Sequence, residues 1–326
     1  MQKNHDNDSM LSVLYVLKKY SDENHPLTQK DINDLVIKEY GEIVHRDTIR
    51  SIILKLVDFG LPVHYSSTKR GMTDLYYEHD FTDGELRMLI NSVLFTDGLS
   101  QKHRNDLIDK LERLTSNHFR SVVKKIDMNV YDNIENKEIF LTIENINEAI
   151  LEGMQISFVK TDNNKPYEVS PYQLVSCNGH QYLLCHYPSP NPNRKGPISH
   201  FRIDRLKESQ VLKKPLKQLR NFKGYESGIQ LCNYVKEHPN MWGGDVIPVT
   251  FKCDKDLENL LKEEFGTTIK IEEFDDKSLL VHVNACEESM FHWGMQYMNK
   301  AEIIKPKKLR ERIQEVIKSA FAKYNE

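Results

Sequence analysis

Apolar side chains recur at helical spacing from Leu11 to Gly60. Positions 11, 13, 14, 16 and 17 form a first cluster that ends at Tyr20. Pro26 and Thr28 then introduce a second helix, with Thr28 as N-cap and Ile32, Leu35, Val36 and Tyr40 on one face. After Gly41 a third helix begins near His45. Its Ile49, Ile52, Ile53 and Leu56 fall at i, i+3, i+4 and i+7, a full core stripe, and Gly60 ends it. Two extended runs follow, Leu61–Ser66 and Asp74–His79, separated by the turn-like Ser67-Thr68-Lys69-Arg70-Gly71.

Three helices followed by a hairpin outline a winged helix-turn-helix, assigned to residues 1–80. Thr82-Asp83-Gly84-Glu85 reads as a capping box opening a helix with Leu86, Leu89, Ile90, Val93 and Leu94. A further helix over Lys102–Leu114 completes a helical connector at 81–140. Thr142–Gly153 is one more capped helix, after which the pattern changes to short strands: Gln155–Lys160, Glu168–Ser176, Gln181–Tyr187, Ile198–Ile203 and Glu208–Lys213. Turns at Asn163-Asn164 and Asn178-Gly179 and a proline-rich loop Pro188–Pro197 separate them. Five short strands after a helix predict a small, partly closed antiparallel barrel of the Sm or SH3 type at 141–223.

The last part, 224–326, alternates as a small α+β module. Strands are expected at Val246–Lys252, Thr267–Phe274, Ser278–Asn284 and Glu302–Ile304, and helices at Asp254–Glu264, Glu287–Met298 and Pro306–Tyr324. The fold class is thus α+β and multidomain, in keeping with a chain of 326 residues, longer than a single core supports.

Charge changes this picture more than composition does. The net charge of −3 taken alone argues against nucleic acid, but it hides segregation. Arg194–Lys223 carries ten Lys/Arg against two acids, and Lys300–Lys323 eight against three, whereas Gly224–Asn299 has six basic residues against fourteen acidic. Such blocks place basic surfaces on an acidic body. No run approaches the ~20 apolar residues of a membrane span, and Met1–Ser9 is polar without a signal-peptide centre. A cytoplasmic protein with no membrane partner is expected. Five cysteines (Cys177, Cys185, Cys232, Cys253, Cys286) without a C-x-x-C pair read as buried free thiols.

The central stretch resembles a known family. Ile156-Ser157-Phe158, Val169-Ser170-Pro171-Tyr172-Gln173-Leu174-Val175, Asn178-Gly179-His180-Gln181-Tyr182-Leu183-Leu184 and His200-Phe201-Arg202-Ile203-Asp204-Arg205-Leu206 are similar to the WYL domain. The name-giving Trp-Tyr-Leu is matched by Gln181-Tyr182-Leu183, so the tryptophan is lost, and Phe158 stands where tyrosine is frequent. Residues 246–324 resemble the WCX extension that follows this domain, through Phe291-His292-Trp293 and Ala301-Glu302-Ile303-Ile304-Lys305-Pro306. Asn299 sits where glycine is usual, a substitution that a left-handed backbone tolerates. The resemblance implies a bacterial or phage-related transcription regulator, usually a homodimer, whose WYL domain senses a nucleic-acid or nucleotide-like effector.

Within that frame the third helix would read the major groove of double-stranded operator DNA. With the isoleucines turned inward, Arg46, Thr48, Arg50, Ser51 and Lys55 are left outward or at the edges, and Lys69 and Arg70 mark the wing tip. Arginine reads guanine or phosphate in bidentate fashion and hydroxyls add contacts. His45, Asp47 and Ser51 make this helix less basic than is typical of the family. The alternative is a solvated charged helix in a fold used for protein contacts.

In the barrel, His200 and Arg202 share a strand face, Arg205 follows, and Tyr172 and Tyr182 offer rings and hydroxyls. These five form the candidate effector site. The alternative is that Arg205 pairs with Asp204 or Glu208 and Tyr182 is core. The basic run Lys213, Lys214, Lys217, Arg220 and Lys223 extends that surface or is a solvated linker. Lys307, Lys308, Arg310 and Arg312 lie on an amphipathic helix suited to dimer or inter-domain packing.

Phosphate-loop, dinucleotide and nucleophile-elbow signatures are absent. Cys185 and His186 are adjacent on a strand and point apart, and no zinc spacing occurs. No enzyme activity, metal or cofactor is therefore expected. The leading reading is a ligand-responsive, homodimeric repressor, with anti-phage defence genes as candidate targets. The other is a nucleic-acid-binding accessory subunit that modulates a defence or processing enzyme.

Overall fold

A computed structural model describes residues 2–69, 71–125, 135–188 and 197–324, with the backbone alone at 2–8. Arg70 and positions 189–196 of the proline-rich loop lie outside the described residues. The chain divides into two compact units, residues 1–96 with 100–132, and 97–99 with 133–326.

The first unit opens with α1 (Gln2–Tyr20), α2 (Gln29–Tyr40) and α3 (Arg46–Asp58). Thr28 caps α2 reciprocally: its hydroxyl accepts from the Asp31 amide, and its own amide donates to Asp31 Oδ2 at 2.8 Å. Gly41 ends the helix in the left-handed region at φ +69°, its amide bonded to the Ile37 carbonyl. Val13, Leu17, Ile32, Val36, Ile49, Ile53 and Leu56 are buried together, so the three apolar stripes meet in one core. Each such side chain contributes about 1.5–3 kcal/mol of transfer free energy.

The hairpin β1 (Val63–Thr68) and β2 (Gly71–Tyr77) follows. Both strands run into the segment expected as a turn, so the turn is shorter than the composition suggests. Leu75 is fully buried beneath the helices, and its backbone pairs with Leu27. The unit closes with α4 (Asp83–Leu94), α5 (Gln101–Glu112) and α6 (Asn117–Val123) around Leu86, Ile90, Ile108, Phe119 and Val123. The Thr82/Glu85 capping box forms as the sequence predicts.

The second unit begins with α7 (Ile139–Glu152). This helix starts before Thr142, which is fully buried inside it and accepts a hydrogen bond from Ser209 instead of capping. Strands β3 (Met154–Lys160), β4 (Pro166–Cys177), β5 (His180–His186), β6 (Ser199–Arg202) and β7 (Leu206–Pro215) form an antiparallel sheet in the order β6-β5-β4-β3-β7. A 3-10 turn, Ile203–Arg205, joins the two edge strands. No ladder pairs β6 with β7 among the described residues, so the sheet is not a closed barrel. Ile156, Phe158, Val169, Leu183, Phe201 and Ile203 are buried, and Phe201 meets Phe158 edge-on at 5.1 Å.

Beyond the sheet lies α8 (Leu231–Glu237), which the sequence pattern did not predict. It carries Cys232 exposed, and Cys177 is half-buried, so of the five thiols expected to be buried only Cys185, Cys253 and Cys286 are. A second antiparallel sheet, β11-β8-β10-β9, then forms from β8 (Val246–Asp254), β9 (Lys270–Glu273), β10 (Ser278–Cys286) and β11 (Ala301–Lys305). Helices α9 (Glu258–Phe265), α10 (Glu287–Gln296) and α11 (Lys307–Tyr324) share its core through Leu261, Phe265, Met290, Trp293, Leu309 and Ile313. Asn299 does not adopt positive φ, so its tolerance of that region goes unused. No described helix is long and apolar enough to cross a membrane.

Candidate nucleic-acid and effector faces

Two polar faces carry the residues singled out from the sequence. On the first, α3 turns Arg46, Arg50, Ser51 and Lys55 outward and leaves Thr48 half-buried, while Lys69 is exposed at the hairpin end. Arg50 and Lys55 form no ion pair among the described residues. His45 precedes the helix without a side-chain capping bond, so the first-turn amides of α3 are not satisfied by it.

Arg46 is different. Its Nε donates to Gln29 Oε1 at 3.2 Å, while Gln29 Nε2 donates to the Arg46 carbonyl at 3.0 Å. The same Gln29 oxygen accepts the Met72 amide at 3.1 Å. One nearly buried glutamine on α2 therefore ties the start of α3 to the start of β2. Gly71 completes the joint. At φ +137° it suits glycine, and a Cβ there would sit 2.0 Å from Arg46 Nη2 and 2.7 Å from Gln29 Oε1. Sequence reading placed Arg46 outward but overlooked Gln29. The available signal was a polar residue two positions from Asp31 and three from Ile32, at the edge of the apolar stripe.

On the second face, Tyr182 on β5 lies directly across from Arg202 on β6. Burial raises the Tyr182 phenol above its usual range, and Arg202 partly offsets that. Tyr172 is held by donating its hydroxyl to the Lys217 carbonyl at 2.6 Å, and burial pushes its phenol up strongly. Both tyrosines pack beside Val175 and Leu184.

The charged groups on this face are already matched. Arg202 grips Asp204 through two bonds, Nε to Oδ1 at 3.1 Å and Nη2 to Oδ2 at 2.6 Å, which raises its pKa. Asp204 is only 7% exposed, so this carboxylate relies on that partner. Arg205, in the 3-10 turn, stands 3.8 Å from Asp162 and pairs with neither Asp204 nor Glu208. His180 Nδ1 lies 2.9 Å from Asp97 Oδ2. Asn136, which sequence reading missed, fixes the turn by donating its buried amide to the Leu206 carbonyl at 2.7 Å and the Asp204 carbonyl at 3.2 Å.

His200 uses both ring nitrogens within the protein. Nδ1 bonds the Met241 carbonyl at 2.9 Å, which must accept, so Nδ1 carries the proton. Nε2 then accepts from the Tyr234 hydroxyl at 2.7 Å. Desolvation drives the Tyr234 phenol far up, keeping it a donor. The neighbouring His238 is 2% exposed, and burial lowers its pKa. His200 thus links β6 to the segment after α8. There Asn240 and Met241 both adopt left-handed backbone, at φ +57° and +56°, and Asn178 donates to Asn240 Oδ1 at 2.6 Å.

Among the described residues no group of His, Cys, Asp and Glu side chains is placed to hold a metal ion. The second unit is a mixed α+β body in which a strand-rich sheet backed by α7 precedes a second α/β module. Residues 142–211 match the WYL domain family and residues 245–321 the WCX domain family. The chain thus contains a WYL domain followed by a WCX domain. Among solved structures, 98% of it aligns with 49% of the proteasome accessory factor B/C (PafBC) of Arthrobacter aurescens, at 16% identity and a TM-score of 0.31. The chain thus spans about half the length of that protein. It also aligns over 96% of its length with 84% of a CRISPR Cas-related protein, at 13% identity and a TM-score of 0.41. No curated protein matches it.

Proposed function

We propose that the chain is a homodimeric, ligand-responsive DNA-binding transcription regulator, acting as a repressor, whose WYL domain takes a nucleic-acid or nucleotide-like effector. The observation that carries this reading is the first unit's arrangement, three helices and a hairpin with Arg50, Ser51 and Lys55 outward on α3, on one chain with a WYL domain. In this reading residues 1–80 are a winged helix-turn-helix. Helix α3 enters the major groove, its first-turn amides and Lys69 meet phosphate, and Thr48 sits at the edge of the contact. The five-stranded sheet with its 3-10 turn acts as an Sm-like platform, and residues 224–326 serve dimerisation.

Tyr182, Arg202 and Arg205 are the effector contacts, with Tyr172 shaping the floor and His200 acting through the linker it holds. An anionic effector competes with Asp204 for Arg202, whereas Arg205, 3.8 Å from Asp162, is open to it. No catalytic role is assigned to any residue. DNase footprinting on the native promoter tests the proposal. Two protected half-sites about one helical turn apart, or a multiple of that, are expected. Steeply salt-dependent binding without sequence preference would instead favour the accessory-subunit reading.

Dimerisation is assigned to the outer half of α11. Val316, Ile317 and Phe321 are 39%, 37% and 72% exposed on one stripe that continues from the buried Ile313. The stripe is symmetric about Ile317: Ile313 and Phe321 lie four residues to either side, and Glu311 and Lys323 six. An antiparallel second copy would set apolar against apolar and acid against base. Sedimentation of Ile317→Glu/Phe321→Glu should give a monomer where the unmodified protein is a dimer. A dimer that survives both substitutions rules this face out.

A further inference from the structure

The second sheet carries a cleft that neither face above uses. It has a volume of about 410 Å³ and opens between α8, the turn after α9, and the strands β9 and β10. That is within the size range of small-molecule sites, about 300–1,000 Å³.

Its polar wall follows from strand register. His282 on β10 lies opposite Lys270 on β9 and opposite Thr250 on β8, so the three side chains form one row across three strands. His282 Nδ1 is engaged by Thr250 Oγ1 at 3.0 Å, which fixes the ring and leaves Nε2 for the cleft. Lys270 reaches Glu272 at 2.5 Å along the edge strand and is partly neutralised by it.

The opposite wall supplies a second cation with no such neutralisation. Lys236 of α8 lines the cleft and forms no ion pair among the described residues. It lies flat over Gly266, where a Cβ would come within 2.9 Å of both its Cδ and Nζ. Gly266, at φ +90°, is therefore the surface on which the lysine rests. Asn284 and Thr268 add neutral hydrogen-bonding groups, and Phe265 forms an apolar floor. The acid on this wall is Glu237, whose carboxyl burial pushes upward, toward the neutral form.

Two lysines and an oriented imidazole facing one another across a cleft with an apolar floor suit an anion that carries an organic part. We propose that this cleft binds a small phosphorylated ligand, its phosphate held by Lys236, Lys270 and His282 and its organic portion set against Phe265. The site is separate from the Tyr182/Arg202 face and does not depend on the DNA-binding reading.

Isothermal titration of the full chain with phenyl phosphate, and separately with inorganic phosphate, tests it without offering a nucleotide to the Tyr182/Arg202 face. Saturable binding is expected. Tighter binding of phenyl phosphate assigns an ester, and binding of phosphate alone assigns the free ion. Lys236→Met should weaken binding at least about tenfold, the usual worth of a hydrogen bond to a charged group. Lys270→Met should do the same, and stands in if the first variant does not fold. Lys110→Met, an exposed position on α5, should leave the affinity unchanged. The proposal is overturned if neither anion binds saturably, or if binding survives both lysine substitutions.

Discussion

In gel-shift titration on its own promoter at fixed salt, the Arg46→Ala/Arg50→Ala protein should lose on the order of 10²-fold in affinity, because a bidentate arginine contact is worth about 1–3 kcal/mol. The two substitutions act by different routes. Arg50 is exposed and without an ion-pair partner among the described residues, so its removal deletes a contact. Arg46 is already tied to Gln29, so its removal loosens the joint between α3 and β2. Gly71→Ala should reproduce the second effect without touching any DNA contact, since its Cβ would push Arg46 Nη2 aside and with it break the Nε bond to Gln29. Unchanged affinity in the double variant removes the groove-reading role from α3.

Arg202→Ala should lower stability to urea by about 2–3 kcal/mol, somewhat less than the loss of one member of a fully buried ion pair. The reason is Asp204, whose side chain is 6% exposed and would be left without its two guanidinium bonds, while Arg202 itself is 25% exposed. Arg202→Ala/Asp204→Ala should recover most of that stability, because no uncompensated charge remains. Effector response should not recover. If short single-stranded oligonucleotides release unmodified protein from its promoter, neither variant should be released by them. A double variant that is stable and still released would show that the ligand binds elsewhere.

The helices of the first unit were legible because periodicity and capping agree there. Ile49, Ile52, Ile53 and Leu56 are all buried, and Thr28 and Thr82 both cap as their spacing requires. Boundaries slipped where tertiary contacts override a local signal. Thr142 looks like an N-cap, but a place inside α7 against Ser209 satisfies its hydroxyl equally well. Helix α8 escaped notice because its one buried residue, Tyr234, gives no stripe.

The candidate faces were readable as residue lists and not as circuits. Sequence spacing put His200 and Arg202 on one face, and their shared exposure pattern agrees. What the spacing could not supply is that Arg202 reaches Asp204 two positions on, or that His200 is taken by Tyr234 and Met241 far along the chain. Those partners come from a segment with no strong pattern of its own. The hubs Gln29 and Asn136 were missed for a related reason, since a single amide joining distant backbone groups leaves no periodic trace.

Asn240 and Met241 make the turn after α8 a catch held under load. Asparagine tolerates the left-handed region, but a methionine there carries on the order of 1–3 kcal/mol and persists only while its surroundings enforce it. Here the enforcement comes from outside the turn, from His200 at the Met241 carbonyl and Asn178 at the side chain of Asn240. His200 stands on β6, which pairs with the strand that carries Tyr182, and Asn178 sits in the turn that joins β4 to that strand. A ligand that rotates the His200 imidazole, two residues from Arg202, would unlatch the turn and let its backbone relax. The ligand must supply the free energy that breaks the His200 bonds, and relaxation of the turn returns part of that cost.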